Sequence, residues 1–260
     1  LVDVQFIEGA NLTHLTNLNV LIEAIESSRE VIDYVVLCVG EDVYAETDGN
    51  INNLMLDKHQ HELVERVAQS LKNSRTKLIL VYLGGRPRII TRMVDKADAV
   101  LVGFLPGDRG GEAIADILMG KFNPSAKMPI TYPRYVNAFS TYDHRAPESE
   151  YPLNVLFPFG HGLSFTKFTF SNLKLNATRI NAYKEALGVS VVVKNEGEMS
   201  GQAVVLAFLN DEYASITRPV RQLKHFSKLN LMPGEQREIR FELTTKDFEF
   251  HDSKNRRVCE

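Results

Sequence analysis

Glu41 and Glu46, with Tyr44 between them, are the residues of this chain best placed by type and spacing to do chemistry. A carboxyl group can donate or accept a proton near neutral pH when its surroundings hold its pKa up. Both glutamates follow the apolar run Tyr34-Val35-Val36-Leu37-Cys38-Val39, which ends at Gly40. That run has no polar face, so it reads as a strand buried on both sides of a parallel sheet, with Cys38 a small core residue. In open α/β sheets, ligands bind beyond the carboxyl ends of such strands. The plain alternative is that carboxylates in loops after strands are solvated or cap a helix.

The elements around this loop alternate. Leu18, Leu21, Ile22 and Ile25 have helical spacing over residues 18–29. A second helix covers about 57–72, with Leu63, Val64, Val67 and Leu71 on one stripe. Residues 77–83 and 99–104 are two further apolar strands, and a short helix begins near Gly110. Strand–helix alternation predicts a layered α/β sandwich with a mostly parallel sheet over residues 1–133. Residues 134–165 have no clear period but hold several Pro, Tyr and Phe, so they read as a linker packed over the surface. From 166 to 260 the pattern is period two, in 187–194, 203–208 and 237–243, with a turn at Pro233-Gly234. Several short strands there predict an all-β sandwich of the fibronectin-III or immunoglobulin type.

Composition excludes some classes. The 260 residues carry a net charge of −3. Residues 1–165 hold 15 Lys/Arg against 21 Asp/Glu, and residues 166–260 hold 15 against 12. Neither part is basic enough for nucleic acid. No run approaches the ~20 apolar residues of a membrane span. The seven histidines are scattered and give no metal signature, and two cysteines form no disulfide framework. No cofactor is expected. Asn11-Leu12-Thr13 and Asn176-Ala177-Thr178 fit the glycosylation acceptor pattern, which points toward a secreted, lysosomal or periplasmic setting.

Three further segments stand out. Gly84-Gly85-Arg86-Pro87 follows the second strand, where two glycines allow a tight turn or the close approach of a ligand. Residues 105–112, Leu-Pro-Gly-Asp-Arg-Gly-Gly-Glu, lack the Gly-Lys-Ser/Thr ending of a phosphate loop, so a nucleotide reading is rejected. Residues 156–165 are dense in aromatics, which fill cores and seams between domains more often than they stack on sugars.

In order, these segments resemble the C-terminal half of glycoside hydrolase family 3, the β-glucosidases and related exo-acting enzymes. The resemblance is carried by Val39-Gly40-Glu41 through Tyr44-Ala45-Glu46, Gln60, Gly84-Gly85-Arg86-Pro87, Leu105-Pro106-Gly107, Asn123-Pro124-Ser125, Lys127-Met128-Pro129 and Phe157-Pro158-Phe159-Gly160-His161-Gly162. It continues through Val193-Lys194-Asn195-Glu196-Gly197, Arg218-Pro219-Val220 and Leu231-Met232-Pro233-Gly234-Glu235. It implies an α/β sandwich followed by a fibronectin-III-like domain, and a preceding (β/α)8 barrel that carries the nucleophile and most sugar contacts. By position, Glu46 matches the general acid/base and Glu41 is the runner-up or a support of the loop. Tyr44, Asp48 and Asn50 are the candidate substrate-binding residues. Asn50 stands where the family usually has aspartate, and Asp48 is the candidate to compensate. Gly84 stands where serine is common. The implied activity is hydrolysis of terminal β-D-glycosyl residues, with a β-glycoside as substrate and the barrel as partner. This chain alone is expected to be inactive. The alternative is a noncatalytic carbohydrate-binding or interaction module without a barrel.

Overall fold

The computed structural model describes residues 2–138, 142 and 154–260 of the protein. Two compact units result, one taking the chain up to Ala115 with Pro133–Ala138, the other taking Asp116–Tyr132 with the described residues after 138. Of the expected linker, residues 139–141 and 143–153 lie outside the described residues.

The first unit holds α1 (Leu18–Ser28), β1 (Tyr34–Gly40), a 3-10 turn (Glu46–Gly49), α2 (Lys58–Ser70), β2 (Lys77–Leu83), α3 (Thr91–Val94), β3 (Ala99–Phe104) and most of α4 (Gly110–Leu118). The strands lie in the order β1-β2-β3, all parallel. Parallel neighbours need crossovers, and α2 and α3 supply them. Asp57 caps α2 by accepting the His59 backbone N–H at 2.9 Å. The apolar stripe of α2 is buried as its spacing requires, through Leu63, Val64, Val67 and Leu71.

The middle strand β2 carries the core, with Leu80, Val81 and Tyr82 at 0% exposure. β1 differs from expectation. Leu37 and Val39 are buried, but Tyr34, Val36 and Cys38 are exposed. The run is therefore covered on one face only, and Cys38 is not a core residue. Its apolar composition matches a two-sided strand, but no described element packs over the face that carries Tyr34 and Val36.

The short strand β4 (Tyr132–Pro133) falls at the boundary, and the second unit adds β5 (Val155–Phe157), then β6 (Phe168–Leu175), β7 (Leu187–Asn195), β8 (Gly201–Leu209), β9 (Gln222–Leu231), β10 (Gln236–Leu243), α5 (Thr245–Phe248), β11 (Phe250–His251) and β12 (Arg257–Val258). An antiparallel sheet β10-β7-β6 and an antiparallel pair β8-β9 supply one core. It consists of Val193 and Ile239 from the first sheet and Ala203, Val205 and Leu231 from the second. The architecture is a layered α/β domain followed by an all-β domain.

Two of the polar motifs are knots in this second unit. Asn195 is fully buried; its Oδ1 accepts from Thr166 Oγ1 at 2.6 Å and Gly197 N–H at 3.1 Å, and its Nδ2 donates to the carbonyls of Met199 and Leu231. Asn123 Oδ1 accepts from Ser164 Oγ and Phe165 N–H, each at 3.0 Å. Rings of residues 156–165 pack within the same unit: Phe157 on His161 at 5.3 Å, and Phe159 edge-on to Phe208 at 6.4 Å.

Candidate active site

The loop that carries both glutamates is fixed at its base by backbone contacts. Gly40 pairs with Leu83 in the parallel register, and a Cβ at 40 would stand 1.8 Å from the Leu83 carbonyl oxygen, so only glycine fits. Gln60, buried in α2, grips the same residue from the other side. Its Nε2 donates to the Gly40 carbonyl at 2.9 Å and its Oε1 accepts the Gly40 N–H at 2.8 Å. A side-chain amide thus satisfies the backbone groups that the edge strand would otherwise leave open.

Beyond that base the two glutamates part. The Glu41 side chain is 8% exposed and turned inward. Its Oε1 lies 2.7 Å from Arg88 Nη1 and 3.2 Å from Arg86 Nε. Its Oε2 is buried with no hydrogen-bond partner among the described residues. Glu46 is exposed and opens the 3-10 turn with φ +49°, a left-handed conformation unusual for a residue with a Cβ. Asp48 and Asn50 are exposed on the same turn, and the Asn50 N–H closes it onto the Thr47 carbonyl at 3.0 Å. Asn50, Asn52, Asn53, Asp57, Lys58 and Arg88 line an open polar cleft of about 520 Å³ next to this turn.

Tyr44 is brought against the scaffold and away from the open cleft. Its ring lies on Gly49, where a Cβ would come within 2.5 Å of the ring, and its hydroxyl lies where a Cβ at Gly85 would come within 2.5 Å. The Arg86 guanidinium covers the ring at 3.9 Å from its centre and donates from Nε to the hydroxyl at 3.1 Å. Behind it, Tyr82 is fully buried and donates from its hydroxyl to the Arg86 carbonyl at 2.6 Å; burial raises its pKa well above the usual value of a phenol.

Structure therefore gathers Glu41 and Tyr44 with Arg86 and Arg88, two arginines that sequence reasoning passed over as part of a turn, and leaves Glu46 exposed on the turn between Tyr44 and Gly49. The available signal was two guanidinium groups flanking Pro87 just beyond one parallel strand, with an acidic loop just beyond its neighbour.

This arrangement can be set beside known proteins. The model of the glycosyl hydrolase family 3 C-terminal domain matches residues 11–165, and that of a fibronectin type III-like domain matches residues 203–260. A lysosomal beta glucosidase of Dictyostelium discoideum is 35% identical over 95% of this chain and 31% of its own length. A periplasmic beta-glucosidase of Salmonella typhimurium is 34% identical over 88% of this chain and 31% of its own. The crystal structure of a beta-glucosidase from Listeria innocua in complex with glucose superposes with a TM-score of 0.86 at 27% identity, over 96% of this chain and 36% of that one. The chain thus spans about a third of the length of the relatives it matches. With the family's C-terminal domain matched over more than half of its residues, and the fibronectin-like domain following in order, the chain belongs to glycosyl hydrolase family 3.

Proposed function

We propose that this chain is the acid/base-bearing part of a retaining, exo-acting β-glycosidase, β-glucosidase-like, that removes terminal β-D-glycosyl residues. The observation that carries the reading is the division between the two glutamates. Glu46 faces solvent on a left-handed turn at the carboxyl end of a parallel strand, while Glu41 is buried between two guanidinium groups. A retaining enzyme needs two carboxyl groups about 5–5.5 Å apart. In this reading a carboxylate on a (β/α)8 barrel of the same protein attacks the anomeric carbon as Glu46 protonates the departing glycosidic oxygen. Glu46 then takes a proton from the water whose oxygen displaces the enzyme carboxylate. The two steps return both groups to their starting states.

Asp48 and Asn50, exposed beside Glu46, are suited to bond sugar hydroxyls, and Tyr44 supports the turn from beneath. The names of the Dictyostelium and Salmonella relatives support a secreted, lysosomal or periplasmic setting. The test is Glu46→Ala in the full-length protein. Alkyl β-glucosides should slow by about 10²–10⁴-fold, the usual contribution of general acid–base catalysis. Unchanged hydrolysis of alkyl glucosides would overturn the assignment.

A further inference from the structure

We infer that Arg86 is the positioning residue of the acid/base turn, and that Glu41 is the buried anion that aims it. The role rests on the reading of Glu46 as acid/base.

Glu46, a non-glycine residue at φ +49°, holds a sparsely populated conformation that persists only where its surroundings over-determine it. The side-chain contacts to Tyr44 and Gly49, which flank Glu46 on this turn, converge on Arg86. Arg86 Nε donates to the Tyr44 hydroxyl and its guanidinium covers the Tyr44 ring. Its Nη1 donates to the Gly49 carbonyl. Tyr44 and Gly49 lie on either side of Glu46 in sequence, so one planar group ties both shoulders of the turn. Tyr44 and Gly49 also touch each other, which closes the loop under the guanidinium.

Arg86 is in turn held. Its carbonyl accepts the buried Tyr82 hydroxyl at 2.6 Å. Its Nε lies 3.2 Å from Glu41 Oε1, and Arg88 Nη1 approaches the same oxygen at 2.7 Å while Arg88 Nη2 donates to the Met55 carbonyl. The Glu41 carboxylate is thus shared by two arginines, one gripping the end of the turn at Gly49 and the other the segment that follows it at Met55. Lysine cannot replace this fork, because an ammonium is a point donor that neither stacks on a ring nor spans two acceptors in one plane.

The consequence is kinetic. A general acid displaced by about 1 Å loses on the order of 10² in rate. In kcat/KM, which reports the glycosylation step, that loss falls only on substrates whose leaving group needs a proton. A residue that merely stabilised the domain would lower the rate of every substrate alike.

The experiment uses the full-length protein with Arg86→Lys, Glu41→Gln and Glu46→Ala, a series of aryl and alkyl β-glucosides, and added azide. Arg86→Lys should lower kcat/KM for alkyl glucosides by about 10²-fold and leave dinitrophenyl glucoside little changed, which steepens the dependence on leaving-group pKa. Glu41→Gln should do the same to a smaller degree, and serves if Arg86→Lys does not fold. Neither should be rescued by azide, because the Glu46 carboxylate is still present to repel the anion. Glu46→Ala should show the steep dependence and be rescued. An Arg86→Lys or Glu41→Gln enzyme that slows all substrates equally, beside a rescued Glu46→Ala, would overturn the positioning role alone. A Glu46→Ala enzyme with neither signature would overturn the assignment of Glu46 and this role with it.

Discussion

The Tyr82 hydroxyl fills the space that a side chain at residue 84 would need. A Cβ built on Gly84 would stand 2.3 Å from that hydroxyl, 2.8 Å from the ring carbon bearing it and 3.1 Å from Glu41 Oε2. Glycine at 84, where the family resemblance leads one to expect serine, is thus matched to tyrosine at 82. The tyrosine reaches forward four residues and donates to the Arg86 carbonyl that begins the arginine pair.

Gly84→Ala should destabilise the first unit by about 1–3 kcal/mol, the usual range for forcing extra atoms into a packed site. Tyr82→Phe removes the closest contact but leaves the ring carbon, so the double variant should recover part of that loss. Denaturant midpoints of the four proteins in a double-mutant cycle measure it. Strict additivity would show that the two positions do not share the space.

Much of the first unit was legible because its signals are local. β2 and β3 are apolar runs closed by turn residues, and α2 shows a stripe at helical spacing with Asp57 at its start. What covers each face of a strand is not local. β1 has the composition of a two-sided strand, yet Tyr34, Val36 and Cys38 are exposed. The arginine fork was illegible for a related reason. It needs the register that sets Gly40 beside Leu83, because only then do the loops after β1 and β2 emerge side by side and Glu41 meet Arg86 and Arg88. The left-handed backbone at Glu46 had no sequence signal either, since glycine and asparagine mark such positions and glutamate does not. In the second unit β9 was missed because His225 and Ser227 fall on the alternate positions of Leu223, Leu229 and Leu231 while Phe226 falls on those of the lysines, which breaks the alternation that identified β7 and β10.

Acid should weaken the first unit in two stages, the first set by His61 of α2 and the second by Asp57 at its start together with Asp98, which the Leu78 N–H and Lys77 hold below 3.8. Burial, reinforced by Arg92 and partly offset by Asp57, pushes the His61 pKa below 6.5, and its Nε2 is buried without a hydrogen-bond partner among the described residues. A histidine depressed in the folded state is protonated first in the unfolded chain. Its contribution is therefore complete above pH 6.5 and lost as pH falls from there through the folded value. Asp57 is held below 3.8, chiefly by the His59 backbone N–H it accepts. That contribution is complete above pH 3.8 and lost as pH falls through the folded value. His61→Gln should flatten the first stage, and Asp57→Asn, which keeps a capping side chain but does not titrate, should reduce the second and leave the part that Asp98 contributes. Melting temperatures recorded across pH would expose a different origin if His61→Gln left the loss below pH 6.5 intact.

The 260-residue chain on its own should not hydrolyse 4-nitrophenyl β-glucoside at a rate expected of the family. The reading given above places the nucleophile on a barrel outside it, and losing one member of a catalytic pair commonly costs orders of magnitude. Turnover by the purified chain that vanished on Glu46→Gln would mean that both carboxylates of the reaction lie within these residues.

The two glutamates of the loop should separate cleanly when each is cut back in the full-length protein. With Glu46→Ala, aryl glucosides with acidic leaving groups still form the glycosyl-enzyme, since departure needs little protonation. The intermediate then accumulates because water lacks its base. Azide attacks the anomeric carbon without having to lose a proton, so turnover returns and the product is the β-glucosyl azide. Glu41→Ala leaves the acid/base in the protein but removes the anion between Arg86 and Arg88. Two guanidinium groups, 19% and 13% exposed, then lose their shared partner but keep their other hydrogen bonds, so the loss should fall below the ~3–5 kcal/mol typical of breaking a fully buried pair. The enzyme should be less stable, slower on alkyl glucosides and indifferent to azide. Rescue of Glu41→Ala with none for Glu46→Ala would reverse the two roles, and the buried carboxylate rather than the exposed one would be the proton carrier.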